Sequence, residues 1–207
     1  MLQLDAVPTG TMDILEHFAN LSCMKGFYLV GGTSLALQIG HRLSIDLDFF
    51  SDTKKDLLAI ENELLFIEGI KLKNSSNYAL FLEYKGVKID IINYPYTFIS
   101  EPIIYNGINL CHIDDICAMK LKTAMNRGAK KDFYDIYFLL QQTTLSKMFE
   151  LFEKKYANIT PVAILKSLTY FEDAEETETP VLLKEKSLTW EQVKKSIITQ
   201  TQNYFNS

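Results

Sequence analysis

The sequence predicts an α+β protein in which a mixed or antiparallel sheet with helices is followed by a helical C-terminal lobe. Apolar and polar residues alternate in several stretches of the first 110 residues, which is typical of half-buried strands. From residue 111 onward, apolar residues recur every three or four positions, which is typical of amphipathic helices. We therefore expect a first lobe over residues 1–110 and a second over 111–207, with an acidic linker near 171–180.

Composition narrows the class of protein. The chain has 207 residues, of which 47% are hydrophobic, so it can bury a sizeable core. A net charge of −5 argues against a protein that coats nucleic acid through its overall charge, although a local basic surface remains possible. Three cysteines without CxxC spacing favour a reducing compartment. Because no signal peptide or bilayer-spanning stretch is visible, we expect a cytoplasmic protein with no membrane partner.

In the first lobe, short elements follow one another closely. The pattern predicts a helix over 11–24, a buried strand over 27–30 and a short helix over 33–39 that Gly40 ends. A strand over 44–50 and a helix over 54–66 come next, and then a hairpin over 78–94 with its turn at Lys85-Gly86. A loop reaches residue 112. Helices are predicted over five segments of the second lobe: 113–127, 130–142, 145–156, 160–169 and a capped helix from 189 onward.

Two carboxylates lie one residue apart on the predicted strand over 44–50. Asp46 and Asp48, at positions i and i+2, would point to the same face of the sheet. Like charges this close are unfavourable unless a cation joins them, and carboxylate oxygens suit Mg²⁺ or Mn²⁺ held together with substrate phosphates. Asp90, on a second strand, can complete a three-carboxylate metal site. The alternative is that the pair lies on a solvated strand face and that Asp90 is an ordinary strand carboxylate.

A glycine pair precedes these carboxylates. Gly31-Gly32 ends a strand and begins a helix, so its backbone N–H groups and the helix N-terminus can bind phosphate, with Thr33 and Ser34 as added hydroxyl donors. The alternative is a tight turn without a ligand. Arg42, between the short helix and the acidic strand, either neutralises the aspartates or contacts the substrate.

The second lobe adds charged residues at helical spacing. Lys120 and Arg127 are seven residues apart on one helix face, from which both could reach a triphosphate. Asp132 and Asp135 share a face of the next helix. The alternative is that Arg127 and the two lysines before Asp132 pair with these aspartates and join the two helices.

The stretches "LVGGTSLALQIGHRLSIDLDFF" and "KIDII" resemble the polymerase-β-type nucleotidyltransferase superfamily. Within it, "GGTSLAL", "HRLSIDLDFF" and "AMKLKTAMNRGAKKDFYDIYFLL" resemble the AbiEii/AbiGii abortive-infection toxin family, over about residues 27 to 141. The resemblance implies a polymerase-β-like core and the following roles. Metal ligands would be Asp46, Asp48 and Asp90; the nucleotide triphosphate would be held by Gly31, Gly32 and Thr33 or Ser34; Lys120 would bind phosphate; and Asp132 and Asp135 would act as positioning groups or as acceptor base.

We therefore expect a Mg²⁺-dependent enzyme that moves a nucleotide from an NTP to an acceptor hydroxyl, with RNA (a tRNA end) as the first acceptor and protein as the second. The resemblance also implies the toxin of a toxin–antitoxin or phage-defence pair, with a cognate antitoxin as partner. Two alternatives use the same carboxylates: a catalytically silent module that binds NTP or a partner, and a metal-dependent phosphohydrolase.

Overall fold

The computed structural model describes residues 2–157, 159 and 161–206, and of Arg127 and Pro161 it describes the backbone. The strands in this part of the chain are β1 (Tyr28–Leu29), β2 (Leu47–Ser51), β3 (Ile70–Ser75), β4 (Ala79–Tyr84), β5 (Val87–Asn93), β6 (Ile103–Tyr105) and β7 (Ile108–Leu110). The helices there are α1 (Thr9–Ala19), α2 (Gly31–Ile39), α3 (Leu57–Leu65), α4 (Ile113–Arg127), α5 (Lys130–Leu140), α6 (Leu145–Lys155), α7 (Pro161–Ser167), α8 (Glu172–Glu175) and α9 (Trp190–Phe205). The predicted α+β class is confirmed.

The strands form one mixed sheet in the order β3-β4-β5-β2-β1-β7-β6. Strand β2 lies near its centre, antiparallel to β1 and parallel to β5. The β2–β5 register places Asp48 directly beside Asp90. Two positions that are far apart in sequence are thereby neighbours in the sheet.

The two faces of the sheet bury different side chains. Because successive strand residues point to opposite faces, Leu47 and Phe49 pack into a core with Leu15 and Phe18 of α1, which also takes in residues of α3. Asp48 and other residues of the opposite face, called here the cavity face, are turned toward the second lobe. There the helices pack around a separate hydrophobic core that contains residues of α2, α4, α5, α6, α7 and α9.

Several predicted elements have different bounds in the structure. Strand β2 begins at Leu47, so Asp46 precedes it and Ile45 is 57% exposed instead of packing inward. Helix α3 begins at Leu57, because the Asp56 side chain accepts a hydrogen bond from the N–H of Ala59 and caps the helix there. The predicted helix over 160–169 is observed as α7, and Thr160 lies outside the described residues.

Strands were underpredicted in two places. The predicted loop before residue 112 contains β6 and β7, and β3 precedes the predicted hairpin. The hairpin itself is confirmed, with Lys85 and Gly86 at φ 49° and 81° in its turn.

The acidic stretch near 171–180 packs against the rest of the chain. It contains α8, and the Thr177 hydroxyl accepts a hydrogen bond from the N–H of Lys130 at the start of α5. The residues that follow pair with the chain after α2: the N–H of Leu43 donates to the carbonyl of Val181 at 2.9 Å, and that of Leu183 to the carbonyl of His41 at 2.9 Å. No described helix is both long and apolar enough to cross a membrane.

Candidate active site

A cavity of about 640 Å³ lies between the cavity face of the sheet, the start of α2, and helices α4 and α5. Predicted site residues contribute much of its wall: Gly31, Gly32, Thr33, Arg42, Asp46, Asp48, Asp90, Lys120 and Asp132. These residues come from five separate parts of the chain. The fold therefore assembles most of the predicted constellation around one space.

Asp48 carries the clearest electrostatic signature in this cavity. Burial, followed by the neighbouring charges of Asp90 and Asp46, raises the pKa of its carboxyl to about 6. A bound cation would reverse this effect, because it favours the ionised form of a carboxylate. The environment of Asp48 thus has the charge imbalance that a cation site requires.

The two flanking carboxylates each contact a lysine. Lys88 Nζ donates to Asp90 Oδ2 at 2.8 Å, and Lys131 Nζ to Asp46 Oδ2 at 3.0 Å. Both lysine side chains are about half exposed, at 54% and 46%. The other oxygen of Asp90, Oδ1, is buried without a hydrogen-bond partner among the described residues. It keeps its lone pairs available for a ligand.

The donor set fits a divalent cation in part. Asp48 and Asp90 are adjacent in register, one has a raised pKa and the other an unpartnered buried oxygen, so the pair fits Mg²⁺ or Mn²⁺. In the described part of the chain, however, no three His, Cys, Asp or Glu side chains are grouped so that they could hold one ion. Asp46 pairs with Lys131, and its part in a three-carboxylate metal site stays a prediction.

Both positions of the glycine pair need glycine, because other side chains of the site pack closely against them. Gly31 has φ +66°, and a Cβ there would come within 2.7 Å of Asp48 Oδ2. A Cβ on Gly32 would overlap the guanidinium of Arg42. The next residue, Thr33, uses its hydroxyl to hold the carbonyl of Asp46. The start of α2 therefore closely contacts the carboxylates and the arginine of the site.

Asp135 is the centre of a buried ionic cluster behind the cavity. Its carboxylate accepts from Arg42 Nε and Nη2 at 2.6 and 2.9 Å, and lies 2.6 Å from both His41 Nε2 and Lys120 Nζ. Lys120 Nζ also donates to Asp132 Oδ1 at 2.8 Å. Arg42 thus neutralises Asp135 and not Asp46 or Asp48; because it also lines the cavity, its contact with substrate stays a prediction.

The charges of this cluster stabilise one another. Burial alone would raise the pKa of Asp135, but Arg42 and Lys120 outweigh it and hold that pKa well below its ordinary value. Burial would likewise lower the pKa of Lys120, and the two aspartates outweigh it, so that pKa is raised. Burial lowers the pKa of His41 despite its contact with Asp135. Lys120 is therefore held as a cation at the cavity wall.

Comparison with known proteins identifies the family. A family model described as the nucleotidyl transferase AbiEii toxin of type IV toxin–antitoxin systems matches residues 13–206. The chain belongs to the AbiEii nucleotidyltransferase toxin family. The predicted resemblance, the nucleotidyl transfer activity and the toxin class are thereby confirmed.

Individual relatives agree with this family. An uncharacterized protein of Aquifex aeolicus is 36% identical over 170 residues, which are 79% of this chain and 82% of that protein. The solved structure of MenT4, a nucleotidyltransferase toxin from Mycobacterium tuberculosis, gives a TM-score of 0.57 at 13% identity and covers 93% of this chain and 82% of its own. JHP933 from Helicobacter pylori gives 0.56 at 19% identity, with coverages of 97% and 94%. At these identities the two structures show a shared fold.

Not every predicted site residue of this AbiEii family member reaches the cavity. Among those whose side chains the structure describes, Ser34 and Asp135 do not line it. The Ser34 hydroxyl is buried and donates to the carbonyl of Cys111, and Asp135 is fully buried in its ionic cluster. The side chain of Arg127 lies outside the described part of the chain. The predicted alternative for the lysines is also not observed, since Lys131 pairs with Asp46.

Other residues of the cavity were not predicted as part of the site. Lys88 stands two positions before Asp90, and the period of two along a strand was a signal that could have placed it on the same face. Thr177, Phe50 and Tyr156 also line the cavity. Thr177 had no sequence signal, because it belongs to the stretch predicted as a linker.

Proposed function

We propose that this AbiEii family toxin uses Mg²⁺ to transfer a nucleotide from an NTP to an acceptor hydroxyl, with RNA (a tRNA end) as the first acceptor and protein as the second. One observation carries the proposal: a single cavity brings the Gly31-Gly32 helix start, the Asp48–Asp90 pair and Lys120 together. A phosphate site, a cation site and a fixed positive charge thus share one space.

The triphosphate binds at the start of α2. The backbone N–H groups of Gly31 and Gly32 and the positive end of the helix dipole attract phosphate oxygens. Lys120 faces them from α4. An ammonium group has three N–H donors, and Asp132 and Asp135 accept from two of them, so a third donor is available for phosphate. The two aspartates are engaged by Lys120 and therefore act as positioning groups.

Asp48 and Asp90 would hold Mg²⁺ or Mn²⁺, with Asp46, which pairs with Lys131, as the third candidate ligand. When bound, a divalent ion neutralises triphosphate charge and stabilises the attacking and leaving oxygens. The acceptor oxygen forms a bond to the α-phosphorus, the bond from the α-phosphorus to the bridging oxygen of the β-phosphate breaks, and pyrophosphate leaves. The hydroxyl proton passes to water, because Asp90 Oδ1, buried without a described partner, is the oxygen assigned above to the cation.

The family suggests the biological setting. A type IV toxin implies a cognate antitoxin, and we propose that the protein acts in the cytoplasm, where NTPs and RNA are available. We also retain the division into a core over 1–110 and a helical lobe over 111–207, with the cavity between them.

A labelling experiment tests the reaction. The protein is incubated with each of the four α-³²P-labelled NTPs, Mg²⁺, and either total cellular RNA or a cell protein extract. We expect label from one or more NTPs in RNA, and a loss of roughly 100-fold or more in Asp48→Ala, because the metal and phosphate contacts depend on this carboxylate. Asp13→Ala, at an exposed position of α1, is the matched control and should label normally.

Other outcomes separate the alternatives. Labelling that survives in both Asp46→Ala and Asp48→Ala would contradict the assigned site. Mg²⁺-dependent NTP binding without labelled RNA or protein would favour the silent binding module. Release of free nucleotide without any acceptor would indicate a phosphohydrolase.

A further inference from the structure

The cavity has an apolar end that the roles above leave unused. We name it the aromatic end and define it by four lining residues, Phe50, Ile92, Tyr94 and Tyr156. Three of them are half-buried, so their apolar surface is open to the cavity, whereas Tyr156 is 1% exposed. Open apolar surface inside a cavity indicates a ligand with an apolar face.

The register of the sheet places this end beside the carboxylates. Asp48 pairs with Asp90, and two residues further along both strands Phe50 pairs with Ile92. Paired residues share a face, so Phe50 and Ile92 lie on the cavity face one step of about 7 Å along the strands from the carboxylates. In an NTP the base follows the α-phosphate after one ribose. An NTP whose phosphates lie at the carboxylates can therefore reach Phe50 with its base.

The aromatic end is held in place before any ligand binds. The Phe50 and Tyr94 rings lie 4.9 Å apart between centroids, and the hydroxyls of Tyr94 and Tyr156 are hydrogen-bonded. Lys122 Nζ lies 4.4 Å from the centre of the Tyr156 ring. A fixed wall of rings loses little conformational entropy when a flat ligand stacks on it.

A buried ion pair supports this wall from behind. Lys155, next to Tyr156 in sequence, pairs with Asp115 at 2.6 Å and donates to the carbonyl of Thr97 at 2.9 Å. Its Nζ also lies 4.6 Å from the centre of the Phe98 ring. Within the segment 94–98, Tyr94 lines the cavity, whereas Phe98 does not line it and packs behind the wall.

We propose that the aromatic end binds the nucleobase of the NTP by stacking, with Phe50 and Tyr94 as the principal contacts. This inference rests on the proposed function, since it names the subsite that holds the base of the same substrate. Stacking on an aromatic ring is available to every base, because each has a π face, so the subsite accounts for affinity without selecting one base.

Comparison of two kinds of ligand, with and without a base, tests this subsite. Isothermal titration in Mg²⁺ without acceptor measures the affinity for each of the four NTPs and for inorganic tripolyphosphate, which has the phosphates and no base. We expect at least one NTP to bind about tenfold or more tightly than tripolyphosphate, the size of one stacking contact. Phe50→Ala should remove most of this difference and leave the affinity for tripolyphosphate unchanged.

Two further variants guard against indirect effects. Phe50→Leu keeps apolar volume but removes the ring, so it should fold as the parent does and still reduce the NTP advantage. Phe66→Ala is the matched control, because Phe66 is 91% exposed and does not line the cavity. It should leave both affinities unchanged.

The outcomes of this experiment separate failure of the base subsite from failure of the proposed function. Equal affinity of the unmodified protein for NTPs and tripolyphosphate would overturn the base subsite and leave the proposed function standing. An equal loss of both affinities in Phe50→Ala and Phe50→Leu would show that Phe50 acts through the fold, and would also overturn it. If neither ligand binds, the proposed function fails together with the inference.

Discussion

Asp48 is a carboxylate whose ionisation the fold opposes. It is half-buried, and it lies beside Asp90 in register with Asp46 nearby, so removal of its proton adds a third negative charge to one small region. Its pKa is raised to about 6, and the folded state binds this proton more tightly than the unfolded chain does. The site is therefore strained electrostatically at neutral pH when no cation is present.

This strain predicts a stability profile for Asp48→Asn. The protonated form favours the fold, so the contribution of Asp48 is fully present below its unfolded pKa and is lost as pH rises through about 6. The variant, which cannot ionise, should have a free energy of unfolding about 2 kcal/mol above the parent at about pH 8 and nearly equal at about pH 4. Urea unfolding across this pH range measures it.

Mg²⁺ supplies the control for that prediction. Added Mg²⁺ should stabilise the parent at about pH 8 and have a smaller effect on Asp48→Asn, because the variant has lost one of the proposed ligands. Asp13→Asn, on exposed α1, should follow the parent at every pH. A parent that is as stable as Asp48→Asn at about pH 8 would contradict the raised pKa.

Residues of the site differ in how far the sequence could predict them. Strand periodicity predicted that Asp46 and Asp48 point to one face, and the family resemblance added Asp90 and Lys120; the register that places Asp48 beside Asp90 comes from the structure. Asp135 was predicted on the correct helix face, but its burial was not predicted. Its partners His41 and Arg42 lie 94 and 93 positions away, so its environment depends on how α2, α4 and α5 pack together. Local pattern contains no such information.

The start of α2 joins the two proposed subsites for phosphate and cation. Gly31 and Gly32 leave room for an Asp48 oxygen and for the Arg42 guanidinium. Arg42 in turn is held by Asp135, so the shape of this turn and the buried ionic cluster depend on each other. An added methyl group at this turn should therefore disturb the buried ionic cluster as well.

Gly32→Ala tests this dependence at the level of the element. The added methyl would force the Arg42 guanidinium away from Asp135, and disruption of a buried charge pair destabilises a protein by about 3 to 5 kcal/mol. We expect a loss of that order, reduced if Arg42 shifts without losing its partner, together with loss of RNA labelling. Thermal and urea unfolding measure the stability.

A matched glycine is available for comparison. Gly10 lies in α1 with no atom within 4 Å of an added Cβ, and alanine is the better helix former by about 1 kcal/mol. Gly10→Ala should leave the protein as stable or slightly more stable. Equal behaviour of the two variants would indicate that the contact between Gly32 and Arg42 is unimportant.

A local signal did not decide which strands were predicted: β4 and β5 were, whereas β6 and β7 were missed although the Asn106-Gly107 turn between them, at φ 47° and 81°, is a strong hairpin signal. The hairpin of β4 and β5 has alternation on both sides of the Lys85-Gly86 turn. Strand β3 is an edge strand whose residues after Ile70 are exposed, and its pairing with β4 has an irregularity between Leu72 and Asn74. Without a buried face there is no alternation to detect, and the partner strand determines that β3 forms.

At the scale of the whole molecule, charge is distributed unevenly. The chain has a net charge of −5, yet Lys88, Lys122 and Lys131 line the cavity around its carboxylates. These lysines are the groups that an RNA acceptor would meet as it approaches the triphosphate. An acidic protein can bind RNA through such a local surface, with a clear dependence on salt.

Lys131→Gln should therefore weaken RNA binding at low salt. Loss of one phosphate contact should reduce the slope of log K against log salt by about 0.7 to 1, and the effect should be similar for RNAs of different sequence. Filter binding at several salt concentrations measures it. Lys25→Gln, exposed and outside the cavity lining, is the control. An unchanged slope in Lys131→Gln would exclude this lysine from the RNA path.

The acidic stretch near 171–180 has a consequence for dissection of the protein. From sequence it resembles a spacer, where a protease cut or an inserted tag does little harm. In the structure, the strand-like contacts just after it hold the backbone on both sides of Arg42, and Thr177 reaches the cavity wall. A cleavage between residues 181 and 184 should loosen the backbone on both sides of Arg42, and we expect weaker RNA labelling while every proposed catalytic residue stays intact.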